Sequence, residues 1–374
     1  DSRIHSLRVL DENGEGTVAS VLAALQWILD NQNSTNVRVV NLSLGKPITE
    51  SATMDPLVLA VEQVWDAGIT VVAAAGNFGH NGDLTIASPG NSRKIITVGS
   101  LTDSGTRSRS DDYVSTYSSR GPTAYDLTLK PDLIAPGNRV VGAADKNMRL
   151  KTLVGNTGLY ISEDEAEDYG YDDDAAEDLD RRDYMELSGS SMAAAAVSGT
   201  VALMIAKDPS LTPGTIKARL MKSAYKMGGD PVAIGAGVLD VKAALKDTLT
   251  VTGDALSPSI VPHGSGTSLL VEDVAELWGV SSLKNKDIWK SANQWSTFND
   301  TPDGYLEAQS YLWANSVDFV YQVESSSYLW ANSYLWANSY LWANNYLWAN
   351  SYLWANNYLW ANNYLWANGM EDGD

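Results

Sequence analysis

The chain has 374 residues, no cysteine and a formal net charge of −20, with 44% apolar residues. Zero cysteine excludes disulfides and thiolate metal sites, and the charge argues against nonspecific nucleic-acid binding, which rests on neutralising phosphates. No apolar run is long enough to span a bilayer: the longest, 192–206, is interrupted by Ser198, Gly199 and Thr200.

In chain order, the first 247 residues read as α/β. Ile4 to Leu10 is a short strand candidate. Apolar residues at helical spacing (Val18, Val21, Leu22, Leu25, Trp27, Ile28) predict an amphipathic helix over 16–31. Val37 to Leu42 reads as a strand, and Met54 to Ala67 as a helix stopped by Gly68. Ile69 to Ala75 is an apolar run ending in Gly76, as a buried parallel strand would, and Ile95 to Val98 is another. Helices follow at 192–206, 212–224 (Pro213 in the first turn) and 241–246. Strands alternating with helices imply a parallel sheet flanked by helices.

Between Glu163 and Glu186 thirteen acidic residues face only Arg181 and Arg182. A run like this, within an insert spanning 148–186, reads as a solvated loop. Calcium is the alternative, because Asp172, Asp173 and Asp174 are hard oxygen ligands. A third reading is a flap that attracts basic peptides. Residues 248–310 are Ser-, Asp- and Thr-rich and read as a linker or accessory segment. From 311 to 369 the hexapeptide Tyr-Leu-Trp-Ala-Asn-Ser/Asn recurs, its last seven copies in tandem from Tyr328, before an acidic tail at 370–374. Its even period keeps strand alternation in phase, whereas in a helix each copy would turn away from the last. A β-type repeat follows, suited to self-association or to stacking on glycans, with a low-complexity tail as the plain alternative.

Four motifs carry chemistry. In Leu187-Ser188-Gly189-Ser190-Ser191-Met192-Ala193-Ala194 a glycine turn presents a serine at a helix start, where the backbone N–H is free and the helix dipole favours an oxyanion. Val71 to Asn77 ends in Ala74-Ala75-Gly76-Asn77: small residues leave room for a substrate backbone, and Asn77 offers a neutral N–H donor. Asn41-Leu42-Ser43-Leu44-Gly45 is an extended segment able to pair with a peptide. The fourth is Tyr117 to Thr123 followed by Lys130 to Gly137. Read singly, each also fits an ordinary cap, turn or strand end.

Together, and in this order, these blocks closely resemble the subtilase family of serine proteases, from about Ile4 to Lys246. The resemblance implies a partial, subtilisin-like catalytic domain over 1–247 and a secreted or cell-surface serine endopeptidase acting on peptides or proteins. It implies Ser191 as nucleophile, Asn77 as oxyanion donor, and Ser43-Leu44-Gly45 with Ala74-Ala75-Gly76 as the segments flanking the bound peptide. It implies no required cofactor, and Ca²⁺ as an optional ion. The sequence also departs from the family's pattern. The family's order is Asp, His, Ser, and its first two motifs lie upstream of a segment like Leu7 to Asp11. No His-Gly-Thr occurs in the sequence, and the histidines are His5, His80 and His263. Asp103-Ser104-Gly105 mimics the aspartate motif in the wrong place, Ser190 stands for the family's Thr, and Ala194-Ala195-Ala196 for its Ala-Pro-His. The chain by itself is therefore expected to hydrolyse peptides poorly. The competing reading is a non-catalytic structural or adhesive protein that keeps the shell and acts through its repeats.

Overall fold

The computed structural model describes residues 2–11, 13–106, 108–143, 184–263 and 268–289. The repeat region, the acidic tail and nearly all of the acidic insert, with its calcium and flap readings, lie outside the described residues.

Five strands form the central sheet: β1 (Val39–Leu42), β2 (Thr70–Ala74), β3 (Ile96–Thr102), β4 (Tyr113–Val114) and β5 (Leu133–Pro136). β1, β2, β3 and β5 run parallel, in that spatial order, and β4 is added antiparallel to the end of β3. Register is set by pairs such as Val40↔Val71, Val72↔Ile96 and Val98↔Leu133. Successive strand residues point to opposite faces, and all five residues of β2 are buried, so both faces of the sheet are covered there.

The covering helices are those the apolar spacing predicts. α1 (Val18–Asp30) buries Val21, Leu25 and Ile28 and is capped by the Thr17 hydroxyl, which accepts the Ser20 N–H. α2 (Gln32–Thr35) is a single turn. α3 (Pro56–Asp66) packs against α1 and β2, with Asp55 as N-cap and Pro56 in its first turn. α4 (Ser190–Lys207) crosses β1, β2, β3 and β5 through Ala193, Ala194, Val197, Val201 and Met204. Its small residues let the helix approach the sheet closely. α5 (Pro213–Ser223) follows, capped by Thr212, then the short α6 (Pro231–Ile234) and α7 (Val241–Ala244). A separate antiparallel pair, β6 (Val140–Ala143) with β7 (Tyr184–Leu187), leads into the turn before α4.

One expectation needs correction. Ile4 to Leu10 is not a strand: apart from one bridge, Leu10↔Gly16, it has no ladder partner, although Leu7 and Val9 still lean on the core while Ile4 stays exposed. A strand needs a hydrogen-bonding neighbour, and this segment has one bridge only among the described residues. The stretch expected as a linker or accessory segment, 248–310, is described at 248–263 and 268–289. Val251, Ala255, Val274, Trp278, Leu283, Ile288 and Trp289 are buried, and α8 (Val274–Trp278) and α9 (Asn285–Ile288) form there. Residues 2–80, 85–260 and 271–289 belong to one compact unit, and a second unit holds 81–84, 261–263 and 268–270.

Candidate active site

The nucleophile candidate sits where β7 turns into α4. Gly189 is the N-cap, at φ 156°, and its amide donates to the Gly137 carbonyl at 2.8 Å, pinning the turn to the end of β5. Tyr117 reinforces the same point, donating its phenol proton to that carbonyl at 3.0 Å. Gly137 has no room for a side chain: a Cβ would lie 2.5 Å from Ser100 Oγ and 2.8 Å from Gly189 O.

Ser191 is the second residue of α4 and half-buried. Its hydroxyl donates to the Ser43 carbonyl at 3.3 Å, and Ser43 Oγ donates to the Ser191 carbonyl at 2.9 Å. The nucleophile candidate and the segment after β1 are thus brought together across 148 residues. Among the described residues no histidine hydrogen-bonds the Ser191 hydroxyl. His5 lies against Trp27, with ring centroids 6.4 Å apart, and His80 is exposed in a short 3-10 turn (Gly79–Asn81).

Asn77 follows β2 and points at the same turn. Its Oδ1 accepts the Ser190 N–H at 2.9 Å. The Ser190 hydroxyl accepts the Gly76 N–H at 3.2 Å and lies 2.9 Å from Asn77 Oδ1 and 3.0 Å from Gly76 O, one of which takes its proton. With Oδ1 held inward, Nδ2 is left without a partner among the described residues, as is the N–H of Ser191. A Cβ built on Gly189 would stand 3.3 Å from Asn77 Nδ2 and 3.7 Å from Ser191 N. One point therefore lies within 4 Å of two N–H donors without partners among the described residues, with Met192 Sδ also 3.7 Å away. A negatively charged oxygen is the group that such donors stabilise.

The two extended segments stand beside this point. Gly45 is exposed, and neither its N–H nor its carbonyl has a partner among the described residues. Its neighbour Lys46 bridges antiparallel to Ser88 through bonds of 3.0 and 2.8 Å, close enough that a Cβ on Gly45 would lie 2.8 Å from Ser88 O. Leu44 packs on the core, while Ser43 is exposed. On the other side Ala74 and Ala75 are buried; Ala75 N donates to Val98 O, and its carbonyl accepts from Ala87 N, both at 2.9 Å. The chain turns outward at Gly76, whose φ of +107° favours glycine and whose Cβ would lie 2.8 Å from Ser119 Oγ.

Sequence reasoning missed three supports. Ser190 anchors Asn77; its hydroxyl is plain in the sequence, but its two-sided bonding with Gly76 and Asn77 shows only in three dimensions. Ser119 accepts the Phe78 N–H at 3.0 Å and donates its own backbone N–H to Gly76 O, also at 3.0 Å. Asp55, fully buried, caps α3 by accepting the Leu57 N–H and also takes the Lys46 ammonium and the Ser88 hydroxyl, each at 2.7 Å. Burial pushes the Asp55 carboxyl up, but these three donors outweigh it and hold it below the usual carboxylate value.

A family model described as the subtilase family matches residues 1–253. Curated relatives include serine protease AprX of Bacillus subtilis, 34% identical over 248 residues, which are 65% of this chain and 51% of AprX. Subtilisin DY of Bacillus licheniformis is 28% identical over 242 residues, 64% of this chain and 67% of that protein. A thermostable alkaline protease of Halalkalibacterium halodurans is 28% identical over 236 residues, 63% and 48% of the two chains. The chain spans about half the length of AprX and of the alkaline protease.

Proposed function

Because the chain belongs to the subtilase family, whose model its residues 1–253 match, we propose that it carries the nucleophile half of a subtilisin-like serine endopeptidase secreted to act on peptides or proteins. Ser191 Oγ attacks the scissile carbonyl carbon, and that carbonyl's oxygen, now an anion, sits between the Ser191 N–H and Asn77 Nδ2. The serine proton passes to a base and then to the departing amine, leaving an acyl-enzyme that water hydrolyses. The peptide lies between Ser43-Leu44-Gly45, where the exposed Gly45 backbone offers a donor and an acceptor for strand addition, and Ala74-Ala75-Gly76. The observation that carries the reading is the pair of donors without partners among the described residues, Asn77 Nδ2 and Ser191 N, within 4 Å of one point.

Among the described residues of this chain no histidine hydrogen-bonds the Ser191 hydroxyl, so the base of this scheme is not in place. Within it the Ser191 hydroxyl rests on a carbonyl, an acceptor that is not a base, and an unactivated serine is a weak nucleophile at neutral pH. Without its partners, a site of this kind retains about 10³–10⁴ over water from binding and oxyanion stabilisation. The chemistry calls on no cofactor; calcium at Asp172 to Asp174 is a separate proposal, open to calorimetric titration.

Incubating the isolated chain with a chromogenic peptide and a serine-directed phosphonate tests this. The expected result is negligible hydrolysis, with slow labelling confined to Ser191. Brisk turnover would contradict the missing base, and labelling of another serine would contradict the assignment of Ser191.

A further inference from the structure

The family match ends at residue 253, yet the packing does not. Just beyond it, Ser257 enters the molecule with every polar group engaged. Its N–H donates to Arg93 O at 2.8 Å, and its carbonyl accepts Arg93 Nε at 2.8 Å. Its hydroxyl donates to Asp132 Oδ1 at 2.5 Å and accepts the Lys217 ammonium at 2.8 Å. Lys217, Lys130 and Asp132 are all fully buried. Lys130 Nζ bonds Asp132 Oδ2 at 2.7 Å and Ile95 O at 3.0 Å. Lys217 Nζ also reaches the carbonyls of Arg93, Lys94 and Ile95 at 2.8 to 3.2 Å.

Two cations and one anion in a protein interior are costly unless their remaining hydrogen-bonding capacity is filled. Ser257 fills part of it for both signs at once. The rest of the segment seals the region. Trp278 is 1% exposed and donates its indole N–H to Leu256 O at 2.8 Å. Glu272 pairs with Arg93 at 2.8 Å and accepts the Ser259 N–H at 2.7 Å. Lys226 Nζ donates to Ile288 O at 2.6 Å.

We infer that residues 254–259 and 271–289 form a clasp, keyed by Ser257 onto the Lys217–Asp132–Lys130 cluster, and that the cooperative folding unit reaches past 253 to include Trp289. The clasp holds the Arg93–Ile95 stretch, which follows Ala87 and Ser88. Those two residues bridge the segments that flank the candidate site: Ala87 N bonds Ala75 O, and Ser88 pairs with Lys46. Opening the clasp therefore loosens the loop between the two walls of the cleft. This inference stands whether or not Ser191 is a nucleophile.

Native-state hydrogen exchange on the full chain tests it. The amides of Ser257, Leu277 and Val280 are expected to show protection within about thirty-fold of those of Ala75 and Val98, as members of one cooperative unit do. A larger gap, with the sheet protected and the segment exchanging freely, would overturn the clasp. Thermal melting of Ser257→Ala gives a second reading: the midpoint is expected to fall by more than about 2 °C, given two lost charge-assisted bonds in a buried site. A smaller fall would overturn the role of Ser257 as the key. Should that variant fail to fold, the exchange pattern of the unaltered chain decides.

Discussion

In the proposed reaction Asn77 divides two tasks between the atoms of one amide group. Its oxygen is consumed by Ser190, and that is what aims its nitrogen outward. Asn77→Ala in an assembly in which Ser191 turns over peptide is expected to lower kcat by about 10²–10³ with little change in KM, the magnitude established for such a donor within this same family. Asn77→Asp keeps the shape but replaces the donor with an acceptor and is expected to be at least as damaging. Steady-state kinetics on both variants checks this, and an unchanged kcat would place the oxyanion elsewhere. Much of this residue-scale picture was legible: Ser191, Asn77 and the two flanking segments stood out as motifs in the right order. The anchoring role of Ser190 was not legible, because a bond between residues 113 positions apart leaves no local pattern.

At the scale of elements, Asp55 ties three pieces together: the start of α3, Lys46 just after Gly45, and Ser88 on the loop beyond β2. Its carboxyl is held below the ordinary value in the folded chain, so protons bind the unfolded chain more readily. The stability it confers is present above the unfolded value near 3.8 and is lost as pH falls through the lower folded one. Asp55→Asn is expected to cost roughly 1–3 kcal/mol at neutral pH, from broken bonds in a buried site, and to flatten the acid limb of a stability–pH profile followed by denaturant unfolding. An unchanged acid limb would show that the carboxylate is not linked to folding. Helices and buried parallel strands were the easiest elements to read, since α1, α3 and β2 declare themselves by period and by unbroken apolar runs. The strand expected over Ile4 to Leu10 failed because the decisive quantity is a hydrogen-bonding neighbour, which the local sequence does not encode.

At the scale of the whole molecule, buried cations shape the response to pH. Lys226 is pulled down to about 7 by burial, which outweighs the attraction of Asp287. In the unfolded chain the same group holds its proton to the ordinary lysine value near 10.5. Between these values the unfolded chain binds more protons, so stability is expected to rise with pH from about 7 towards 10. Melting Lys226→Met beside the unaltered chain at pH 7 and pH 9 checks this: the variant should gain less on going to pH 9, and an equal gain in both would contradict it. The segment after 248 was hard to read for a related reason. Its composition is polar, but a few residues, Ser257, Trp278, Ile288 and Trp289, do the burying, and composition averages them away.

The claim on which the functional reading rests is that the Ser191 hydroxyl, the Ser191 N–H and Asn77 Nδ2 surround one oxygen. A crystal structure of the chain after prolonged reaction with a peptidyl phosphonate measures it directly. The account predicts phosphorus bonded to Ser191 Oγ, with one phosphoryl oxygen about 2.7–3.1 Å from both Asn77 Nδ2 and Ser191 N. An adduct on a different serine, or a phosphoryl oxygen turned away from both donors, would contradict it.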